Sequence, residues 1–128
     1  MNSDHIRVAS LQYFIRPVRS FDQFREQVEA LVDTAEDYRC KLIVFPEYFS
    51  AQLLTLGDIR RPMQEQIRDL ASQAPRVCEL MQQLAKDYKI HIVAGTVPTM
   101  DKGDDERVYN ESFFSRPTAT SACKARCT

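Results

Sequence analysis

The run KLIVFP, Lys41 to Pro46, restricts the fold more than any other feature of this chain. Its apolar core is too short for a helix and lacks the polar alternation of a half-exposed strand. It therefore reads as a strand buried on both faces and closed by proline. Such strands belong to layered structures in which helices cover a mostly parallel sheet, so helices are expected on either side. Upstream, Ser20 and Gln23 form a capping box, and Asp22 adds a negative charge where the helix dipole favours it. Phe21, Phe24, Val28, Leu31, Val32 and Ala35 then recur at helical spacing, which predicts an amphipathic helix from about Phe21 to Tyr38. Downstream, Ser50 to Arg61 is less regular and Pro62 opens a short helix. Pro75 opens a better one, whose stripe is Val77, Leu80, Met81, Leu84, Ala85 and Tyr88.

Three further strands complete the pattern: Ile6 to Gln12, IHIVAGTV and RVYNESFF, the last two separated by the charged, exposed turn DKGDDER. The order is β-α-β-α-β-β without internal repeats, an α/β layered fold whose first strands are buried and mostly parallel. A length of 128 residues suits one modest domain, and the 44% hydrophobic and 27% charged composition is that of a soluble protein. A net charge of −1 argues against a nucleic-acid or membrane-surface binder. No apolar run approaches a membrane span, and MNSDHIRVAS lacks the layout of a secretory signal, so cytoplasm is the default location.

The four cysteines, Cys40, Cys78, Cys123 and Cys127, include no CxxC pair, and the two histidines, His5 and His91, stand alone. No metal site is expected, and Cys40 and Cys78 read as buried free thiols. His91, between Ile90 and Ile92, reads as a satisfied structural histidine. The alternative reading, a small non-catalytic α/β module that binds a nucleotide, a partner or a sister chain, predicts a glycine-rich phosphate loop or a basic cleft. The three glycines, Gly57, Gly95 and Gly103, supply no such loop.

Glu47 follows the apolar run by one proline. Ligand sites in open α/β sheets gather at the carboxyl ends of strands. Phe45, Tyr48 and Phe49 would strip water from this carboxylate and make it a better base, whereas a solvated or helix-capping glutamate is the plain alternative.

LIVFPEYF, with the strand and capped helix before it and IHIVAGTVP and VYNESFF after it, resembles the nitrilase superfamily of carbon–nitrogen hydrolases from Ile6 to Phe114. The Tyr-Phe after the glutamate and the wording YNESFF are similar to a bacterial branch sometimes joined to an acetyltransferase domain. The resemblance implies an α-β-β-α sandwich, of which this chain holds the N-terminal part. It also implies a Glu-Lys-Cys set acting without a cofactor on a small-molecule amide, carbamoyl compound or nitrile, with neither nucleic acid nor membrane as partner. Cysteine attacks carbon, lysine stabilises the oxyanion, and glutamate is the general base. Glu47 matches that glutamate, and Tyr48 and Asn110 match supporting positions.

The set's lysine and cysteine are expected beyond Phe114. Lys124 lacks the family context, Cys123 and Cys127 lack a strand-to-helix elbow, Cys78 lies beside a helical apolar stripe, and Cys40 lies at the wrong end of its strand. A homo-oligomer or a separately encoded C-terminal half is a partner the resemblance admits.

Residues 5–114 thus read as a partial hydrolase domain and residues 115–128, SRPTATSACKARCT, as a disordered tail. Back-translated and read from the third base of the Pro117 codon, residues 117–128 can encode DGHIGVQGKVHM. That wording holds the context in which the family keeps its lysine. The expectation is a frameshifted tail on a chain that is inactive alone.

Overall fold

The computed structural model describes residues 5–12, 15–101, 104–119 and 122–127. Strand β1 (Val8–Ser10) leads to helix α1 (Phe21–Asp37) and strand β2 (Leu42–Val44). A 3-10 helix (Phe49–Leu56) and two helices, α2 (Met63–Ser72) and α3 (Ala74–Tyr88), follow. Strands β3 (His91–Asp101), β4 (Asp104–Ser115) and β5 (Cys123–Cys127) complete the chain. The five strands form one sheet in the order β1-β2-β3-β4-β5. The first three run parallel, and β4 and β5 add antiparallel to that edge. The mixed α/β architecture is the expected one.

Local sequence explains the helix boundaries. Ser20 Oγ accepts the Gln23 amide at 3.1 Å, while the Gln23 side chain reaches back to the Arg19 amide at 2.7 Å. The box is therefore closed one residue earlier than its usual form. Pro75 sits in the first turn of α3, where a missing amide hydrogen costs nothing. Lys89, in the left-handed region at φ 52°, ends that helix and turns the chain into β3.

The core lies between the sheet and the helices. Phe24, Val28 and Val32 of α1 and Val77, Met81 and Leu84 of α3 pack against Ile43, Phe45, Ile92, Ala94 and Val97. Phe45 and Phe49 meet at 5.1 Å between ring centroids and Phe24 and Phe49 at 6.0 Å, so the 3-10 helix is anchored by aromatic contact.

Several expectations need correction. Strand β2 is buried on one face only: Ile43 is fully buried, whereas Leu42 and Val44 are half-buried. The opposite side chains of β2 and β3 alternate onto a face that no described helix covers. His91 lies on that face, exposed to solvent and stacked on Phe114 at 5.8 Å between ring centroids. The charged turn is shorter than its composition suggested, because the ladder runs to Asp101 and resumes at Asp104; residues 102–103 lie outside the described residues. The tail is not unstructured throughout. Cys123–Cys127 forms β5, with Phe113 opposite Lys124 and Glu111 opposite Arg126. An unpaired edge on β4 recruits a fifth strand despite its polar composition, since backbone groups do the pairing. Residues 120–121 and 128 of that segment lie outside the described residues.

Candidate functional site

Glu47 sits on the tight loop between β2 and the 3-10 helix, at the carboxyl end of the parallel strands. Backbone hydrogen bonds to β3 hold the loop on both sides of the glutamate. The Phe45 amide donates to the Val93 carbonyl at 2.9 Å, and the Tyr48 amide donates to the Thr96 carbonyl at 3.2 Å. Between those acceptors β3 carries a bulge, where its register against β4 shifts between Val93 and Thr96. Gly95 occupies the bulge at φ 60°, and a Cβ there would lie 2.2 Å from the Pro46 carbonyl oxygen. The chain can pass so closely over β3 because residue 95 has no side chain. Tyr48 itself adopts φ 54°, ψ 30°, an uncommon left-handed geometry for a bulky residue that turns the chain directly into the 3-10 helix.

The aromatic neighbours do not enclose Glu47, as sequence reasoning expected. Phe45 and Phe49 are fully buried in the core, and Tyr48 is 43% exposed. The carboxylate of Glu47 is exposed, with no hydrogen bond or ion pair among the described residues. The turn conformation separates it from the rings that flank it in sequence.

Asn110 lies on β4 opposite Pro98 of β3, and Ser112 lies opposite Thr96. Alternation puts Thr96, Asn110 and Ser112 on one face of the sheet. The Asn110 Oδ1 and Thr96 Oγ1 atoms are both shielded from solvent with no partner among the described residues. Thr96 is also the residue whose carbonyl anchors the Glu47 loop. Thus the loop and two unpaired polar groups share one region of the sheet, an arrangement that suits recognition of a polar ligand.

The other sequence candidates lie elsewhere. Lys124 ion-pairs with Glu111 at 3.8 Å. Both belong to the strand positions that alternate away from Asn110, so the fold does not bring Lys124 to the Asn110 face. Cys78 on α3 lines a cavity with those same two residues. Cys40 precedes β2, at the end remote from Glu47. Cys123 is exposed at the start of β5 and stands opposite Phe114. Cys127 enters by register alone, opposite Asn110.

Glu111 is the charged residue that sequence reasoning passed over. It is 2% exposed, accepting from Thr99 Oγ1 at 2.5 Å and from Arg126 at 3.2 Å. Burial works to raise its carboxyl, but hydrogen bonds from Thr99 and Arg126 and the charge of Lys124 outweigh it. The net effect holds the group below the usual glutamate range. Arg126 also pairs with Asp101 at 2.8 Å and stacks 3.6 Å from the Tyr109 ring centroid. The alternation of Tyr109, Glu111 and Phe113 was the available signal: a glutamate in phase with aromatics on a strand faces inward.

Comparison with known proteins runs past Phe114 into the tail that the resemblance in sequence left out. The family profile of the carbon–nitrogen hydrolases matches residues 7–126. A probable hydrolase, YhcX of Bacillus subtilis (strain 168), is 30% identical over 115 residues, covering 90% of this chain and 22% of that protein. An amidase from Nesterenkonia sp. superposes with a TM-score of 0.69 at 17% identity, over 98% of this chain and 44% of the amidase. A carbon–nitrogen hydrolase from Helicobacter pylori G27 gives 0.66 at 16% identity, over 94% and 39%. The chain therefore spans less than half the length of each of these relatives. Among the described residues no helix is long and apolar enough to cross a membrane.

Proposed function

Because the chain belongs to the carbon–nitrogen hydrolase family, we propose that Glu47 is the general base of an amidase-like hydrolysis of a small amide, carbamoyl compound or nitrile. The observation that carries the reading is the clamped loop. Its backbone is fixed to β3 on both sides while its carboxylate projects free, at the carboxyl ends of parallel strands. A base must be positioned by its backbone yet keep its oxygens available to the reacting group.

In the proposed reaction Glu47 takes the proton of a cysteine thiol as sulfur bonds to the substrate carbon. For an amide or carbamoyl compound a lysine holds the oxyanion and the proton passes to the departing nitrogen. For a nitrile the proton goes to the nitrogen of a thioimidate, which leaves as ammonia once water has added. Glu47 then takes a proton from the water that cleaves the thioester, which regenerates the thiol. Asn110 and Thr96 supply polar groups for orienting the substrate. Lys124 and Cys78 are not the partners, since both are committed to the Glu111 side of the sheet. The lysine and cysteine of the set come from residues outside these 128, and the tail beginning at Pro117 is an out-of-frame reading of the segment that carries the lysine.

Two measurements test this reading. The purified 128-residue protein is expected to hydrolyse neither a small primary amide nor a nitrile; turnover that Glu47→Ala abolishes would overturn the assignment of partners. A chain carrying DGHIGVQGKVHM in place of residues 117–128, continued through the family cysteine, is expected to turn over. In it Glu47→Gln lowers kcat by about 10²–10⁴-fold. An unchanged kcat in that variant removes Glu47 from the chemistry.

A further inference from the structure

We propose that the pocket between the end of the 3-10 helix and α2 is a second site, which binds a free aliphatic α-amino acid of leucine's size. It is independent of Glu47. Its residues run from Leu53 to Gln73, so all of them precede the segment read as out of frame.

Gln66 is the group that calls for a ligand. Its side chain is almost wholly buried, with the residue 6% exposed. The amide nitrogen donates to two carbonyls, that of Ile59 at 3.1 Å and that of Arg61 at 2.7 Å. Two acceptors claim both amide hydrogens, which fixes the orientation of the amide and turns Oε1 away from them. Oε1 has no partner among the described residues, and Gln66 lines the pocket. An acceptor held this rigidly in a buried side chain is set for a donor that enters the pocket. The same two bonds tie the loop before α2 to that helix, so the pocket is formed before a ligand arrives.

The other polar groups decide the charges of the ligand. Arg61 and Asp69 line the pocket as an ion pair. Arg61 spends Nε on the Asp58 carbonyl at 3.3 Å and Nη2 on Asp69 Oδ2, which leaves its Nη1 and Asp69 Oδ1 without partners among the described residues. An ammonium group satisfies Gln66 Oε1 and Asp69 Oδ1 together, and a carboxylate accepts from Arg61 Nη1. Because the pair is neutral, the ligand that complements it is neutral overall and charged at both ends. Leu53, Leu54, Leu56 and Leu70 form the apolar wall, which suits a branched aliphatic side chain. The volume of about 260 Å³ is just under that of drug-sized sites and restricts the ligand to a small molecule.

Saturation-transfer NMR of the 128-residue protein with L-leucine tests the proposal. A saturable signal is expected, strongest at the methyl groups that meet the leucine wall. Isocaproate, which lacks the ammonium, and isoamylamine, which lacks the carboxylate, are expected to bind at least about tenfold more weakly, because each leaves a fixed partner unpaired. Asp69→Asn and Arg61→Gln are each expected to weaken leucine binding several-fold. The effect is modest because the two side chains are 61% and 32% exposed, and for the same reason circular dichroism should show the fold unchanged. Absence of a saturable signal, equal binding of either analogue, or an affinity indifferent to Asp69→Asn would each overturn the proposal.

Discussion

Replacing Gly95 with alanine tests how the Glu47 loop is held. A Cβ at this position would stand 2.2 Å from the Pro46 carbonyl oxygen and 2.8 Å from the Phe45 carbonyl oxygen. A carbon–oxygen contact normally exceeds 3 Å by a few tenths, so Pro46 must retreat by roughly 1 Å. That retreat strains the bonds on either side, Phe45 to Val93 and Tyr48 to Thr96. Each contributes about 1 kcal/mol. Alanine at φ 60° costs a further 1–2 kcal/mol or so. The expected loss is about 3–4 kcal/mol, a large share of the stability of a domain this size. Gly57 is the control, since its φ is −107° and an added Cβ would meet the flexible end of Arg61 at 3.0 Å. Urea unfolding of both variants, read by circular dichroism, separates the cases. Amide exchange at Tyr48 reports whether the loop lifts from β3. If Gly95→Ala costs no more than Gly57→Ala, or leaves the Tyr48 amide protected, then the bulge does not position Glu47.

Other perturbations probe the surrounding framework. Glu111→Gln is expected to cost about 1–3 kcal/mol at neutral pH, because its charge-assisted bonds to Arg126 and Thr99 weaken. The carboxyl lies below its ordinary value of 4.5 in the fold, so its stabilisation is complete above that value and is lost as pH falls through the folded pKa. Denaturation midpoints measured across acidic pH should therefore fall less steeply in Glu111→Gln than in the parent; parallel curves would contradict the assignment. Ser20→Ala removes the acceptor for the Gln23 amide and should destabilise the protein by about 1 kcal/mol in urea, with Ser20→Asn retaining most of that. The uncovered sheet face, with Val8 50% exposed and Leu42, Val44 and Val93 half-buried beside it, should make the chain self-associate. Sedimentation across a range of concentrations checks this, and a strictly monomeric protein with a cooperative melt would refute it.

The sequence alone carried the elements whose causes are local. Ser20, Gln23 and the spacing from Phe21 to Ala35 specify α1, and the uninterrupted Leu42–Phe45 run specifies an inner strand, because capping and periodicity act within a few residues. The motif around Glu47 also carries the family's signature within a few residues. Three decisions needed the tertiary structure. Glu47 is exposed because Tyr48 turns through the left-handed region and sends Phe45 and Phe49 into the core, a geometry invisible to a list of neighbours. Gly95 matters through the Pro46 carbonyl, far away in sequence. The tail became β5 because β4 offered it backbone partners, and pairing to a distant edge leaves no trace in composition. That pairing in turn fixed which face each tail residue occupies, placing Lys124 with Glu111 and Cys78 and away from Asn110. Local rules determine what an element is; the register between distant strands determines which side chains meet.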